Sequence, residues 1–509
     1  MGTTFGPGDW LQTIGNDLLT FAPFFALMVG IAFIVAFPIA TQLSNRLNVN
    51  EAVLLPIAGV VGLSVAILAA NWLSPVATLV PATRQATGFV AVALTGALGG
   101  VIHATMGSER RVAAQGRKST ALILGGAAVV LLMAFGLHLL TRPNRATEIE
   151  DVELDNYRVA IVADGLEHPW GMAFLPDGRK LVSERPGRLR VIDNTGAMLA
   201  EPVRGVPEVF VAREAGLMDI KLSPDYGQDG FIYLTYSCGS EGSVTTCVSR
   251  GRLRDHAFVN EERIFEALPQ RPTTVQFGSR MAFLADGSLV LTLGDGFDYR
   301  EQAQMLDNHF GKLVRLNPDG TVPSDNPFVS EAGALPGIYS YGHRNPQGIW
   351  FDEERGLLLE SEHGPYGGDE INIIEPGVNY GWPLATEGIN YPGDRVSPHD
   401  SISEARRPVK SWTPSIAPSG ILVYRGSDFP SLSGNLLVSA LAGRGVLRLT
   451  LQDGEVIQSS RLFHELKERI RHTLVSPEGK LYLLTDSDSG QILRIDSRNP
   501  TGPDSGNKL

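Results

Sequence analysis

The sequence predicts an all-β six-bladed β-propeller preceded by an α-helical membrane domain of four transmembrane helices. Three observations predict it: an uneven spread of charge, four long uncharged runs before residue 142, and one strand–turn–strand pattern that recurs six times after residue 157. Only 19% of the 509 residues are charged, against about 25% in an ordinary soluble domain. Residues 1–144 carry seven basic and four acidic side chains, a net +3, so the remainder holds 36 basic and 51 acidic ones, a net −15. An acidic second part disfavours nucleic acid as a partner. Two cysteines are too few for a structural zinc cluster.

The helical part comes first. Asp17 and Arg46, Glu51 and Arg84, Arg84 and Glu109, and Lys118 and Arg142 bracket uncharged stretches, each longer than the ~20 residues that cross hydrocarbon. They predict spans near 20–43, 52–73, 86–106 and 119–141. A cleaved signal peptide fits poorly, because residues 1–17 lack the basic start it needs. Arg46 and the group Arg110, Arg111, Arg117 and Lys118 mark the cytoplasmic loops, which puts everything after Thr141 outside the cytoplasm. The expected location is the inner (cytoplasmic) membrane, multi-pass, with the C-terminal domain in the periplasm or outside the cell. Gly96, Gly99, Gly100, Gly125 and Gly126 suit close helix packing. His103 and His138 belong at opposite membrane faces, so a shared haem is not expected.

Residues 145–156 read as a polar, acidic linker and 157–496 as the propeller, with 497–509 a disordered tail. Within 157–496 an apolar strand, a Pro-Asp-Gly type turn and a second strand recur at Gly171–Gly178, Leu217–Asp225, Met281–Gly287, Gly348–Asp352, Gly420–Tyr424 and His472–Gly479. That spacing matches propeller blades with added loops. Cys238 and Cys247 flank a Gly/Ser turn between two strands. A disulfide there fits an oxidising compartment, with two free buried thiols as the alternative.

Polar clusters interrupt the module where blade loops meet a central channel. Tyr341–Gly348 holds His343, Arg344, Asn345 and Gln347. Ser361–Glu370 is a glycine-rich acidic loop whose carbonyls and carboxylates are hard oxygen donors suited to Ca²⁺. Arg469 and Arg471 share one face of a strand and suit a ligand with several carboxylates.

These segments carry a resemblance. His168–Phe174, Gly342–Gly348, Glu362–Pro365 with Gly368–Glu370, Asn379–Pro383, Ala417–Gly420 and Arg469–Arg471, in this order, resemble the pyrroloquinoline quinone (PQQ) glucose dehydrogenase and aldose sugar dehydrogenase family, also called glucose/sorbosone dehydrogenases. The resemblance covers about 157–496. It implies a six-bladed propeller that binds PQQ over its channel, held by Arg344, Asn345, Arg469 and Arg471. It implies calcium on the main-chain carbonyls of Gly364 and Pro365 beside Asp369, a second calcium at Glu370 and Tyr380, and Trp382 lining the sugar pocket.

Three positions depart from that pattern. Gln276 occupies the place of the family's general base, a histidine. His472 follows Arg471 where the family often has aspartate, which makes it a candidate relocated base. Arg444 is the nearest cation to the family's cofactor-contacting lysine. The sequence thus predicts a membrane-anchored, periplasm-facing PQQ- and calcium-dependent aldose dehydrogenase that passes electrons to a membrane quinone or cytochrome. The alternative is a catalytically silent propeller acting as a membrane-tethered binding or sensor module.

Overall fold

The computed structural model describes residues 21–47, 49–73, 95–103, 149–154, 156–390 and 395–498. The chain divides into two compact units, one of Met1–Asn144 with Ile389–Pro398 and one of Arg145–Gly388 with His399–Leu509.

In the first unit, α1 (Phe21–Leu47) and α2 (Glu51–Leu73) are apolar helices, followed by a helical segment at 95–103. Glycine sets how closely they approach. A Cβ on Gly59 would collide with the main chain at Gly96, and one on Gly100 with Leu55, the close packing expected of small residues. The four-span expectation needs correction. Among the described residues one helix, Val29–Leu47, meets the length and apolarity needed to cross a membrane, with Glu51–Ile67 a shorter apolar stretch, so four spans are not shown. The span near 86–106 is described only at 95–103, and the one near 119–141 lies outside the described residues, as do His138 and the cationic loop 107–118.

The second unit is a six-bladed propeller. Blade one holds β3 (Pro169–Phe174), β4 (Lys180–Glu184) and β5 (Arg188–Ile192). Blade two holds β6 (Leu217–Leu222), β7 (Phe231–Ser240), β8 (Ser243–Arg254) and β9 (Ala257–Glu266). Blade three holds β10 (Met281–Phe283), β11 (Leu289–Leu293), β12 (Lys312–Leu316) and β13 (Ile338–Tyr341). Blade four holds β14 (Pro346–Asp352), β15 (Leu357–Glu362), β16 (Asp369–Ile374) and β17 (Lys410–Trp412). Blade five holds β18 (Pro418–Val423), β19 (Leu436–Ala440), β20 (Gly445–Gln452) and β21 (Glu455–Leu462). Blade six holds β22 (Ile470–Val475), β23 (Leu481–Thr485) and β24 (Gly490–Ser497).

Each repeat read from the sequence supplies the first two strands of one blade. Strand β2 (Tyr157–Leu166) pairs antiparallel with β24, so the start of the propeller closes its last blade and hides an open sheet edge. The linker reading changes at Glu150–Asp151, which forms β1 and adds in parallel to β21, with Arg461 gripping Asp151 at 2.6 and 2.9 Å. Residues 499–509 of the expected tail lie outside the described residues. Cys238 and Cys247 are disulfide-bonded across the β7–β8 hairpin.

The innermost strands β3, β6, β10, β14, β18 and β22 touch one another in a closed ring. Glycines make that ring narrow. A Cβ on Gly348 would strike the Ser361 hydroxyl and come within 3.0 Å of the Gly420 main chain, and one on Gly171 would lie 3.0 Å from Asp219 and Ile220. A β-bulge interrupts pairing at Trp170, at Met218–Asp219, at Gln347, at Ser419 and at Arg471. Bulges turn side chains out of a sheet's regular alternation, and here they fall on the inner strands of five of the six blades.

Candidate active site

Arg280 occupies the centre of the bulged ring. It is buried, and its guanidinium reaches every other blade: Asp219 at 3.0 Å, the carbonyls of Gln347 (3.0 Å), Ser419 (2.9 Å) and Arg471 (3.1 Å), and the face of Trp170 at 3.9 Å. A planar fork with five donors is the side chain able to do this. Sequence reasoning missed it. The available signal was a charge in an otherwise apolar strand start, Ser279-Arg280-Met281-Ala282-Phe283, matched by Asp219 in the preceding repeat.

A second polar layer adjoins this hub and contains most of the predicted cofactor residues. Arg471 Nη1 donates to Gln347 Oε1 at 3.2 Å, and Gln347 Nε2 donates to Asn345 Oδ1 and to the Gly278 carbonyl, each at 3.2 Å. Asn345 Oδ1 also accepts the Gly278 N–H at 3.2 Å. Next in sequence, Arg344 Nη1 donates to the carbonyls of His363 (2.8 Å) and Gly364 (2.6 Å). Its guanidinium lies 5.4 Å from the Trp382 ring, whose Nε1 donates to Asp295 at 2.7 Å. Arg471, Asn345 and Arg344 therefore belong to one connected polar layer, with Gly364 and Trp382 against Arg344.

Asp486 anchors the arginine side. Its carboxylate accepts from Arg471 at 2.9 Å, Arg469 at 3.3 Å and His168 Nδ1 at 2.9 Å. Burial alone would raise its pKa, but Arg471, the His168 hydrogen bond and Arg469 together hold it well below the usual carboxylate range. A lowered folded-state pKa contributes stability that is complete above the ordinary value of about 3.9 and is lost as pH falls through the folded one. Asp486→Asn is therefore expected to lower unfolding stability at neutral pH by roughly 1.5–3 kcal/mol, the worth of a charged hydrogen bond. In urea melts the gap from wild type should close as the pH is taken below about 3.9.

Several expected roles need correction. Arg444, a left-handed residue (φ 46°) in the turn before β20, is exposed, and its guanidinium donates to the Lys467 carbonyl at 2.9 Å. His472 lies in the inner ring, where its Nδ1 is 3.4 Å from Arg280. Burial, then the charges of Arg280, Lys221 and Arg471, hold its pKa well below the ordinary imidazole value, which argues against a relocated base. Asp369 presents no open oxygen to calcium. Its carboxylate accepts from the N–H groups of Gly364, Ile416 and Ala417 and from the Ser415 hydroxyl at 2.7–3.0 Å. Burial pushes its pKa up to about 6 against those donors. It ties the loop carrying Gly364 and Pro365 to residues 415–417.

Glu370 joins a buried cluster with Glu360, Glu362 and His343. Asn372 Nδ2 is shared among the three carboxylates at 3.1, 3.1 and 3.4 Å, and His343 Nδ1 is 3.2 Å from Glu362. Burial, then the charge of Glu362, pushes Glu360 and Glu370 well above the usual carboxylate range. The Tyr380 hydroxyl faces elsewhere, donating to the Ile373 carbonyl and accepting the Glu375 N–H, while its ring stacks on His343 at 4.8 Å. Gln276 is buried with a left-handed backbone (φ 58°), and its Oε1 has no hydrogen-bond partner.

The donors fit the groups implied by the sequence. Arg471 Nε is buried without a partner, a donor left over for an anionic ligand. Glu360 Oε1 and Asn372 Oδ1 are likewise buried and unpaired, two hard oxygens for a divalent cation. A model of the family described as Glucose / Sorbosone dehydrogenase matches residues 166–494. The chain belongs to the glucose/sorbosone dehydrogenase family. It is 41% identical over 347 residues to the aldose sugar dehydrogenase YliI of Escherichia coli, covering 67% of this chain and 93% of the relative. It is 26% identical over 457 residues to quinoprotein glucose dehydrogenase B of Acinetobacter calcoaceticus, covering 74% and 94%. Among solved structures, the PQQ-bound aldose sugar dehydrogenase of Streptomyces coelicolor superposes with a TM-score of 0.55 at 28% identity, covering 68% of this chain and all of that one. The family match coincides with the propeller and begins after α1 and α2.

Proposed function

We propose that this glucose/sorbosone dehydrogenase family member is a PQQ- and calcium-dependent aldose dehydrogenase, tethered to the inner membrane with its propeller outside the cytoplasm. Its electrons pass to a membrane quinone or a cytochrome. The observation that carries the reading is the single hydrogen-bonded layer joining Arg471, Gln347 and Asn345 beside Arg344. Arg344, Asn345, Arg469 and Arg471 would hold the carboxylates and quinone oxygens of PQQ. Bound there, PQQ supplies the quinone that accepts a hydride from the sugar. The carbonyls of Gly364 and Pro365, on a loop fixed by Asp369, would carry the calcium beside the cofactor once Arg344, which now holds the Gly364 carbonyl, turns to the cofactor instead. Glu370, with Glu360 and Glu362, would hold the second. Trp382, oriented by Asp295, offers an aromatic face to the sugar. Helix α1 and the basic loops after it support the tether, and the Cys238–Cys247 disulfide supports an oxidising compartment.

Gln276 favours one other reading, a propeller that binds without turning over, because an amide is no base near neutral pH. Titrating the full chain with PQQ and Ca²⁺, following quinone absorbance and thermal shift, then adding aldoses with an artificial electron acceptor, separates the two. The expected result is binding, a raised melting temperature and acceptor reduction. Binding without turnover, restored by Gln276→His, would favour the silent propeller. No binding would remove the dehydrogenase reading.

A further inference from the structure

The dehydrogenase reading leaves open which group takes the proton as the sugar hydroxyl is oxidised, and the inference drawn here rests on that reading. The imidazoles and carboxylates around the polar layer are nearly all engaged. His168 meets Asp486 at one ring nitrogen and Asp488 at the other, 2.9 and 2.8 Å away. His363 Nε2 contacts the Pro418 carbonyl at 2.8 Å, and burial, then the nearby Arg344 and Arg471, pushes its pKa down to about 3. His343 is fixed between Ser340 and Glu362. Asp295 accepts from Trp382 and from the Phe297 N–H, Asp369 is saturated by loop donors, and Asp486 by two arginines and His168.

Glu214 differs from these. It lies in the turn before β6, is exposed, and its Oε2 accepts the main-chain N–H of Gln276 at 2.7 Å. No hydrogen bond joins its Oε1 to a described residue. The turn is firmly seated. Arg213 adopts a left-handed backbone (φ 54°), the Ala215 N–H returns to the Ala212 carbonyl at 2.8 Å, and the Glu214 N–H reaches Thr274 at 3.2 Å. Ala215 and Met218 pack with Trp170 and Phe277 in one apolar cluster, so the carboxylate and the Gln276 backbone share a rigid support. The charged groups around it are Arg213, Arg271 and Arg185. Arg271, fully buried, donates to the Gln276 carbonyl at 2.9 Å and interacts electrostatically with both Asp295 and Glu214. Arg185 does the same with Glu214 and Asp486. Glu214 is thus tied by its hydrogen bond to the main chain of Gln276, whose carbonyl Arg271 holds from the other side.

We infer that Glu214 is the general base of this chain, a carboxylate seated on the main-chain amide of Gln276 in place of an imidazole at that position. The sugar C1 hydroxyl loses its proton to Glu214 Oε1, the C1–H bond breaks with its electron pair going to the quinone oxidant, and C1–O becomes the carbonyl of a lactone. Gln276, with its unpaired Oε1, is left as an acceptor for a sugar hydroxyl. The test uses the full chain loaded with PQQ and Ca²⁺. Glu214→Gln is expected to lower kcat by about 10²–10⁴-fold with PQQ affinity, melting temperature and KM unchanged, and the double variant with Gln276→His should regain turnover. Independently of turnover, coupling of exposed carboxylates to an amine by a water-soluble carbodiimide should label Glu214, and saturating aldose should protect it. Should E214Q melt early, Glu214→Asp decides. A lowered kcat at unchanged stability supports the base, and full kcat removes it. A wild type that binds no PQQ would sink the dehydrogenase reading itself. A loaded wild type matched in turnover by E214Q, or labelled equally with and without sugar, would sink only the role of Glu214.

Discussion

Arg280→Met is expected to lower the unfolding free energy of the propeller by about 3–5 kcal/mol, the cost of leaving one partner of a buried ion pair uncompensated. Asp219, fully buried, would lose its cation, and the carbonyls of Gln347, Ser419 and Arg471 would each lose a donor. Arg280→Lys should recover little, because an ammonium has three donors from a single point and cannot serve four acceptors spread around the axis. Removing Asp219 as well should restore only part of the loss, since the three carbonyls stay unpaired. Urea titration of the wild type, the two single variants and the double variant measures this. Wild-type stability in R280M would mean the blades hold one another without an axial tie.

Arg471→Gln is expected to weaken PQQ binding by on the order of 10²-fold, because a charged hydrogen bond in a buried site contributes about 1.5–3 kcal/mol. Its Nε is buried and unpaired, and Nη1 and Nη2 already fix Gln347 and Asp486, so the guanidinium is held in one orientation with a donor to spare. Arg444→Ala is the contrasting case. Its guanidinium is exposed on the Lys467 carbonyl, and no change in affinity is expected. Absorbance titration with PQQ reads both. Equal loss in the two variants would show that net positive charge, and not the Arg471 geometry, governs binding.

The six blades were legible because a strand–turn–strand repeat is a local signal: period-two apolar runs and Pro-Asp-Gly turns depend on nearest neighbours. Arg469 and Arg471 do not share a regular strand face, since Arg469 precedes β22 and a bulge falls at Arg471, yet both reach Asp486. Asp486 itself was not legible, since it comes from the next strand of the blade and its approach depends on register. Arg444, expected as a cofactor contact, is instead a left-handed residue at a turn, a feature with no strong sequence signature outside glycine. Asp369 failed as a calcium ligand because its acceptors face main-chain donors on a loop 46 to 48 residues away in sequence. In the N-terminal part, composition marked apolar helices, but hydropathy alone overcounted the spans that the described residues support.

Sequence by itself determined the division into an apolar helical part and an acidic β part, the number of blades, and the inventory of guanidiniums, amides and loop carbonyls. Tertiary structure decided which of these meet. Bulges at Trp170, Gln347, Ser419 and Arg471 turn one residue of each of four blades to the axis, Arg280 joins them, and Glu214 comes to rest on the Gln276 amide. The reason is physical: periodicity is fixed by covalent geometry along the chain, whereas convergence at an axis is fixed by how six sheets pack, which no single segment encodes.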